Sequence, residues 1–147
     1  MANHRIILVA TPEPLARQEL LARFSGQGYQ VIAVERGSDA LLVVAEESVG
    51  LVILDISIQD PSGAKTVEIL RKMRPRLPVI VLSGDHSVEA GRQILQHGVF
   101  YYFLKPLDLE ELDQIVRLAL PPGKRLAAGM DEGALKDRLG EEKGAVA

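Results

Sequence analysis

The chain has 147 residues, 47% of them apolar, no cysteine and a formal net charge of -3. That length supports one domain with a proper core. The slight acidity leaves no electrostatic case for nucleic acid or an acidic membrane as the main partner, and the lack of cysteine excludes disulfides and thiolate metal sites while suiting a cytoplasmic setting.

Arg5 to Ala10 contains Ile6-Ile7-Leu8-Val9, an apolar run of the kind buried on both faces of a sheet. It is too short for a signal peptide, and no other apolar run approaches membrane-spanning length. Pro12 and Pro14 stop the strand, and Pro14 can open a helix. Ala16, Leu20, Leu21 and Phe24 then recur at near-helical spacing until Ser25-Gly26-Gln27-Gly28 ends the run. Tyr29 to Val34 is the second strand. Gly37-Ser38 supplies an N-cap for a helix to about Ser48, with Leu41, Val44 and Ala45 on one side.

Leu51-Val52-Ile53-Leu54 is the third strand, and Asp55 stands where it surfaces, before Pro61-Ser62-Gly63. Ala64, Val67, Leu70 and Met73 mark the next helix, closed by Pro75. Pro78 to Leu82 is the fourth strand, surfacing at Ser83. Val88 to His97 is a helix ended by Gly98, followed by the strand Phe100 to Leu104, which surfaces at Lys105-Pro106. Asp108 and Glu111 form a capping-box-like start, and Leu109, Leu112, Ile115, Val116 and Ala119 make the clearest amphipathic stripe. From Pro121 the composition turns to Pro, Gly, Ala and charge. Residues 1–120 therefore read as one domain, and 121–147 as a flexible tail or the start of a linker, with a short helix conceivable around Leu135 and Leu139.

Five strands alternating with five helices require an α/β fold with a parallel sheet between two helical layers. Right-handed crossovers leave the flavodoxin-like order 2-1-3-4-5 as the commonest solution. In that order the carboxyl ends of the central strands gather Ala10-Thr11, Asp55 and Ser83, with Lys105 on the neighbouring strand. A lone strand-end aspartate is most often a turn residue. With an ammonium and a hydroxyl converging on it, it suits an aspartyl phosphate, the lysine neutralising phosphoryl oxygens and the hydroxyl donating to one of them. Such chemistry ordinarily needs Mg²⁺.

Other motifs carry less. Ser83-Gly84-Asp85-His86 cannot form a hydrolytic series within one loop. His4, His86 and His97 lack metal-ligand spacing. No glycine lies between Ala10 and Pro14, so phosphate-loop and dinucleotide fingerprints are absent.

From about Arg5 to Leu120 the chain resembles the receiver domain of bacterial response regulators, the CheY-like phosphoacceptor half of two-component signalling. The match is carried by Gly28-Tyr29, Asp55, Gly63, Ser83, Tyr102 and Lys105-Pro106, in order and at strand ends. The resemblance implies Asp55 as phosphoacceptor, Ser83 and Lys105 as phosphoryl contacts, and Tyr102 as the aromatic that changes rotamer with phosphorylation. It also implies a signalling module rather than an enzyme.

The departures matter as much. Ala10-Thr11 stands where the family has its acidic, metal-holding pair, so only Asp55 and the Ser57 backbone carbonyl remain as metal ligands, with Glu13, Asp60 or Asp85 as distant substitutes. Gln59 replaces a frequent proline and Gly84 a frequent alanine. The expectation is thus a pseudo-receiver with no cofactor, working by contact with a histidine kinase or a downstream effector. It would bind no nucleic acid by itself and no membrane. The alternatives are a functional receiver, phosphorylated on Asp55 with Mg²⁺ held by fewer ligands, and a flavodoxin-like small-ligand binder or enzyme. Four of the six aromatics lie in Phe100 to Phe103. They serve either local packing or an interaction face, and in the family the face of helix four, strand five and helix five makes dimers and partner contacts.

Overall fold

The structure is a computed structural model and describes residues 5–122. The tail expected from residue 121 therefore lies almost wholly outside the described residues, as does His4. Ten elements alternate strictly: β1 (Ile6–Ala10), α1 (Pro14–Gly26), β2 (Gln30–Val34), α2 (Gly37–Glu46), β3 (Val49–Asp55), α3 (Gly63–Met73), β4 (Val79–Ser83), α4 (Val88–Leu95), β5 (Tyr101–Leu104) and α5 (Leu109–Ala119). The sheet is parallel, in the order β2-β1-β3-β4-β5, as its apolar strands require.

Alternation along each strand divides the core into two layers. Leu8, Val52, Leu54 and Val81 point to a layer closed by Ala40 and Val44 of α2, Val67 and Leu70 of α3, and Ile94 of α4. Ile7, Val9, Leu51, Ile53 and Ile80 point the other way, against Leu20 and Phe24 of α1 and Leu112 and Val116 of α5. All seven residues of β3 are buried, so its terminal carboxylate is held almost out of solvent at the carboxyl edge of the sheet.

Local chemistry sets the helix ends. Pro14 opens α1, the Ser62 hydroxyl accepts from the Lys65 N–H, the Ser87 hydroxyl from the Ala90 N–H, and the Asp108 carboxylate from the N–H groups of Glu110 and Glu111. Where α3 starts, a Cβ on Gly63 would lie 2.2 Å from the Ile56 carbonyl oxygen, so only glycine fits. Arg23 of α1 pairs with Asp113 of α5 through two contacts at 2.9 and 2.8 Å. At the far end of the sheet the Tyr29 hydroxyl donates to the Leu120 carbonyl at 2.8 Å, and Arg5 to that of Pro121 at 2.6 Å. Both bonds fasten the end of α5 to the strands beneath it.

Several boundaries and faces differ from expectation. Helix α2 begins at Gly37 itself, after Arg36, and no side chain caps it; Ala45 is exposed. The buried face of α3 is Gly63, Thr66, Val67 and Leu70, with Ala64 and Met73 facing outward. Helix α4 ends at Leu95 and β5 begins at Tyr101, leaving Phe100 44% exposed. The alternation of the aromatics follows the sequence: the rings of Tyr101 and Phe103 meet at 4.7 Å in the α5 layer, while Tyr102 packs in the α4 layer.

Candidate functional site

Parallel register places the site. Ala10 pairs with Leu54, so the next residues, Thr11 and Asp55, come side by side at the carboxyl edge of the sheet. Asp55 shares the parity of Leu51 and Ile53, and its side chain turns toward the α1/α5 layer. Lys105 follows β5, two strands away, and reaches back across the end of β4.

The Asp55 carboxylate is only 2% exposed and all its accepting capacity is used. One oxygen, Oδ2, accepts from Lys105 Nζ at 2.7 Å and from Thr11 Oγ1 at 3.1 Å. The other, Oδ1, accepts from the Ser57 N–H at 2.9 Å and the Ser57 hydroxyl at 2.7 Å, the geometry of an Asx-turn. A carboxylate offers about four lone-pair sites, and four donors occupy them. Burial pushes the Asp55 carboxyl up, but the hydrogen bonds from Lys105 and from the N–H and hydroxyl of Ser57, with the Lys105 charge, outweigh it and hold the group below its usual range.

The rest of the constellation behaves differently. Ser83 is buried beside Asp55 at the end of β4, yet its hydroxyl accepts from the Asp85 N–H at 3.0 Å and makes no hydrogen bond to Asp55. The Tyr102 hydroxyl donates to the Asp85 carbonyl at 3.3 Å, and His86 Nε2 donates to the Lys105 carbonyl at 2.8 Å. Sequence reasoning passed over these ties, and the loop after β4 is thereby bound at two points, to Tyr102 of β5 and to Lys105 just after it. Reading Thr11 only as a lost acid likewise missed its role as a donor to Asp55; a hydroxyl one step past β1 was the available signal.

The residues do not fit Mg²⁺. The ion needs several free oxygen ligands in octahedral array. Here the Asp55 oxygens are saturated, and the Ser57 carbonyl, the other expected ligand, accepts from the Gln59 side-chain amide at 3.2 Å. Ala10 points into the opposite layer. The substitute acids stay away: the Glu13 side chain is 60% exposed and meets Lys105 only at 4.0 Å, Asp60 is exposed, and the Asp85 carboxylate accepts from the Ser87 N–H. Among the described residues, no three acidic or imidazole side chains are grouped to hold a metal.

Above Asp55 lies a pocket of about 270 Å³, walled by Ala16 and Leu20 of α1 and by Leu107 and Leu109 at the start of α5. A buried strand-end carboxylate under a lysine, at the switch point of a 2-1-3-4-5 sheet, defines a doubly wound α/β domain with a charged crevice at the carboxyl edge of its sheet.

Residues 7–117 match the response regulator receiver domain, and the chain belongs to that family. It is 33% identical over 114 residues to the regulatory protein AtoC of Escherichia coli, covering 78% of this chain and 25% of that protein. To the DNA-binding transcriptional regulator NtrC of a Bradyrhizobium species it is 33% identical over 128 residues, 86% of this chain and 27% of that protein. The chain thus spans about a quarter of the curated relatives it matches. Among solved structures, a response regulator receiver protein from Pseudomonas putida superposes with a TM-score of 0.75 at 28% identity, covering 80% of this chain and 99% of that one. The receiver domain of a Francisella response regulator gives 0.75 at 26%, covering 82% and 99%.

Proposed function

We propose that this chain is a pseudo-receiver: a two-component receiver domain with weak or no Mg²⁺-dependent phosphorylation that acts through protein contact. The observation that carries this reading is the saturation of Asp55 by Lys105, Thr11 and Ser57, together with the Gln59 amide on the Ser57 carbonyl. An incoming cation would have to displace donors from both of its remaining ligands, with no second carboxylate in return. Lys105 supplies one charge and cannot replace a dication.

In this reading Asp55 keeps the phosphoacceptor position without the reactivity, and the output is a surface. The partner is a histidine kinase or a downstream effector in the cytoplasm, and the chain itself catalyses no reaction. The face of α4, β5 and α5 is the expected contact and the route to a homodimer. It exposes Val88 (74%) and Leu95 (54%) of α4 and Leu104 (41%) of β5. No described helix is long and apolar enough to cross a membrane.

The competing reading, a functional receiver phosphorylated on Asp55, draws on the same Lys105 contact, which would be ready for a phosphoryl oxygen. Titration with Mg²⁺ and beryllofluoride, followed by the amide resonances of Thr11, Asp55 and Ser57, separates the two. The pseudo-receiver gives no saturable shift at millimolar concentrations; joint saturable binding establishes the competitor.

A further inference from the structure

The edge of the sheet opposite the crevice carries a second groove, of about 690 Å³, between the end of α3, the turn into β4 and Leu120 just past α5. Met73, Pro75, Pro78 and Leu120 supply its apolar lining, and Arg74 and Arg76 supply two guanidinium groups with no carboxylate among them. Met73, turned outward from α3, is 38% exposed.

Charge at this edge is one-sided. Among the described residues the side chains of Arg74 and Arg76 make no hydrogen bond or ion pair. Lys72 is turned to Glu68 at 3.6 Å, and the Arg71 guanidinium is engaged with the carbonyls of Gly98, Arg74 and Leu77. Glu46 and Glu47, at the end of α2, form no ion pair with either free arginine. The two buried side-chain polar atoms left without a partner among the described residues, Arg5 Nη2 and Arg71 Nε, belong to guanidinium groups at this same edge, where Arg5 also donates to the Pro121 carbonyl. Donors are in surplus there, and acceptors are short.

The chain itself continues from this point. Leu120 lines the groove, and Pro121-Pro122-Gly123 follow at once. In residues 123–136 the only acids are Asp131 and Glu132, and they stand inside Met130-Asp131-Glu132-Gly133-Ala134-Leu135, a run with an apolar residue at each end and no cation. The residues between Pro122 and Met130 can span up to about 25 Å, more than a return to a groove that begins at Leu120 requires. A tether that short holds the run at an effective concentration of about a millimolar, so a contact too weak to form between separate chains is populated within one.

We infer that the run Met130 to Leu135 docks in this groove of its own chain, with Asp131 and Glu132 against Arg74 and Arg76, and Met130 and Leu135 against Met73, Pro75 and Pro78. The inference does not depend on whether Asp55 is phosphorylated. Occupancy covers the apolar surface around Met73 and denies the two arginines to any acidic partner.

The chain has no cysteine, so Ala128→Cys takes a single nitroxide label in the full chain. Paramagnetic relaxation is expected to be strong at the amides of Met73, Arg74, Arg76 and Leu77. It should fall by at least about half in Arg74→Glu with Arg76→Glu, and equally in Asp131→Arg with Glu132→Arg. Both reversals together should restore it, because the pairs form again with their signs exchanged. Arg74 is half-buried, Arg76 is exposed and neither side chain holds another residue, so the fold survives the change. Relaxation unmoved by either reversal, or a combined variant no better than its parts, overturns the docking. A mixture of isotope-labelled chain without nitroxide and nitroxide-bearing chain without isotope tests the other occupant: enhancement at the groove in that sample assigns it to a second copy and overturns the internal contact, and its absence there supports it.

Discussion

The ring of Tyr102 lies against Gly91, where an added Cβ would stand 3.3 Å from the nearest ring carbon. Gly91 is buried in the middle of α4, where glycine costs about 0.8 to 1 kcal/mol relative to alanine. The helix accepts that loss and gains a notch for the ring.

Gly91→Ala therefore sets helix propensity against ring placement. Tyr102 is only partly buried and its hydroxyl bond to Asp85 is already 3.3 Å long, so the ring can yield by a few tenths of an ångström. The variant is expected to be as stable as the parent or up to about 1 kcal/mol more stable, with a shifted Tyr102 ring resonance. A fall in the urea midpoint would show that the ring cannot move.

Gly63→Ala has no such escape, because its Cβ would strike the backbone of Ile56 rather than a side chain. Moving that backbone displaces Asp55 and Ser57 on one side and α3 on the other. Destabilisation of about 3 kcal/mol or more is expected, read as a large drop in the denaturation midpoint.

Acid should reveal the work done around Asp55. Its carboxyl is held below the usual range in the folded chain, so the stabilisation is complete above the unfolded value, about 3.9, and is lost as pH falls through the folded one. Asp113, lowered chiefly by its hydrogen bonds from Arg23, adds a second contribution of the same sign. Urea denaturation at neutral pH and near pH 3 should show the parent losing more stability than Asp55→Asn. Equal losses would mean that the donors do not favour the ionised form.

Thr11→Asp tests whether the crevice can be made to take a metal. Thr11 points at Asp55, so the substitution adds a carboxylate next to the existing one, whereas Ala10 is fully buried in the other layer and Ala10→Asp alone should mainly destabilise. Thr11→Asp with Gln59→Pro, which frees the Ser57 carbonyl, is expected to gain millimolar Mg²⁺ affinity that the parent lacks, measured by calorimetry. No gain would place the obstacle in Lys105 or Ser57.

Most of this architecture was legible because β3 and β1 are apolar on both faces, which only a sandwiched parallel sheet can satisfy. The meeting of Asp55 and Lys105 followed from strand order, since both leave the sheet at its carboxyl edge. The outward turn of Ala64 and Met73 was not legible, because three-residue spacing fits more than one face and the neighbouring Gly63 and Thr66 took the inner one. Nor could spacing reveal that Gln59 covers the Ser57 carbonyl or that Ser83 serves Asp85. Those bonds depend on loop backbone directions, which side-chain type alone leaves open.

The two bonds from Tyr29 and Arg5 to the carbonyls of Leu120 and Pro121 carry a mechanical implication. They anchor the trailing end of α5 at the edge opposite the crevice, while its leading end borders the pocket over Asp55. A push delivered at the pocket cannot dissipate by fraying that tail end. It would act on the helix as on a lever held at its foot.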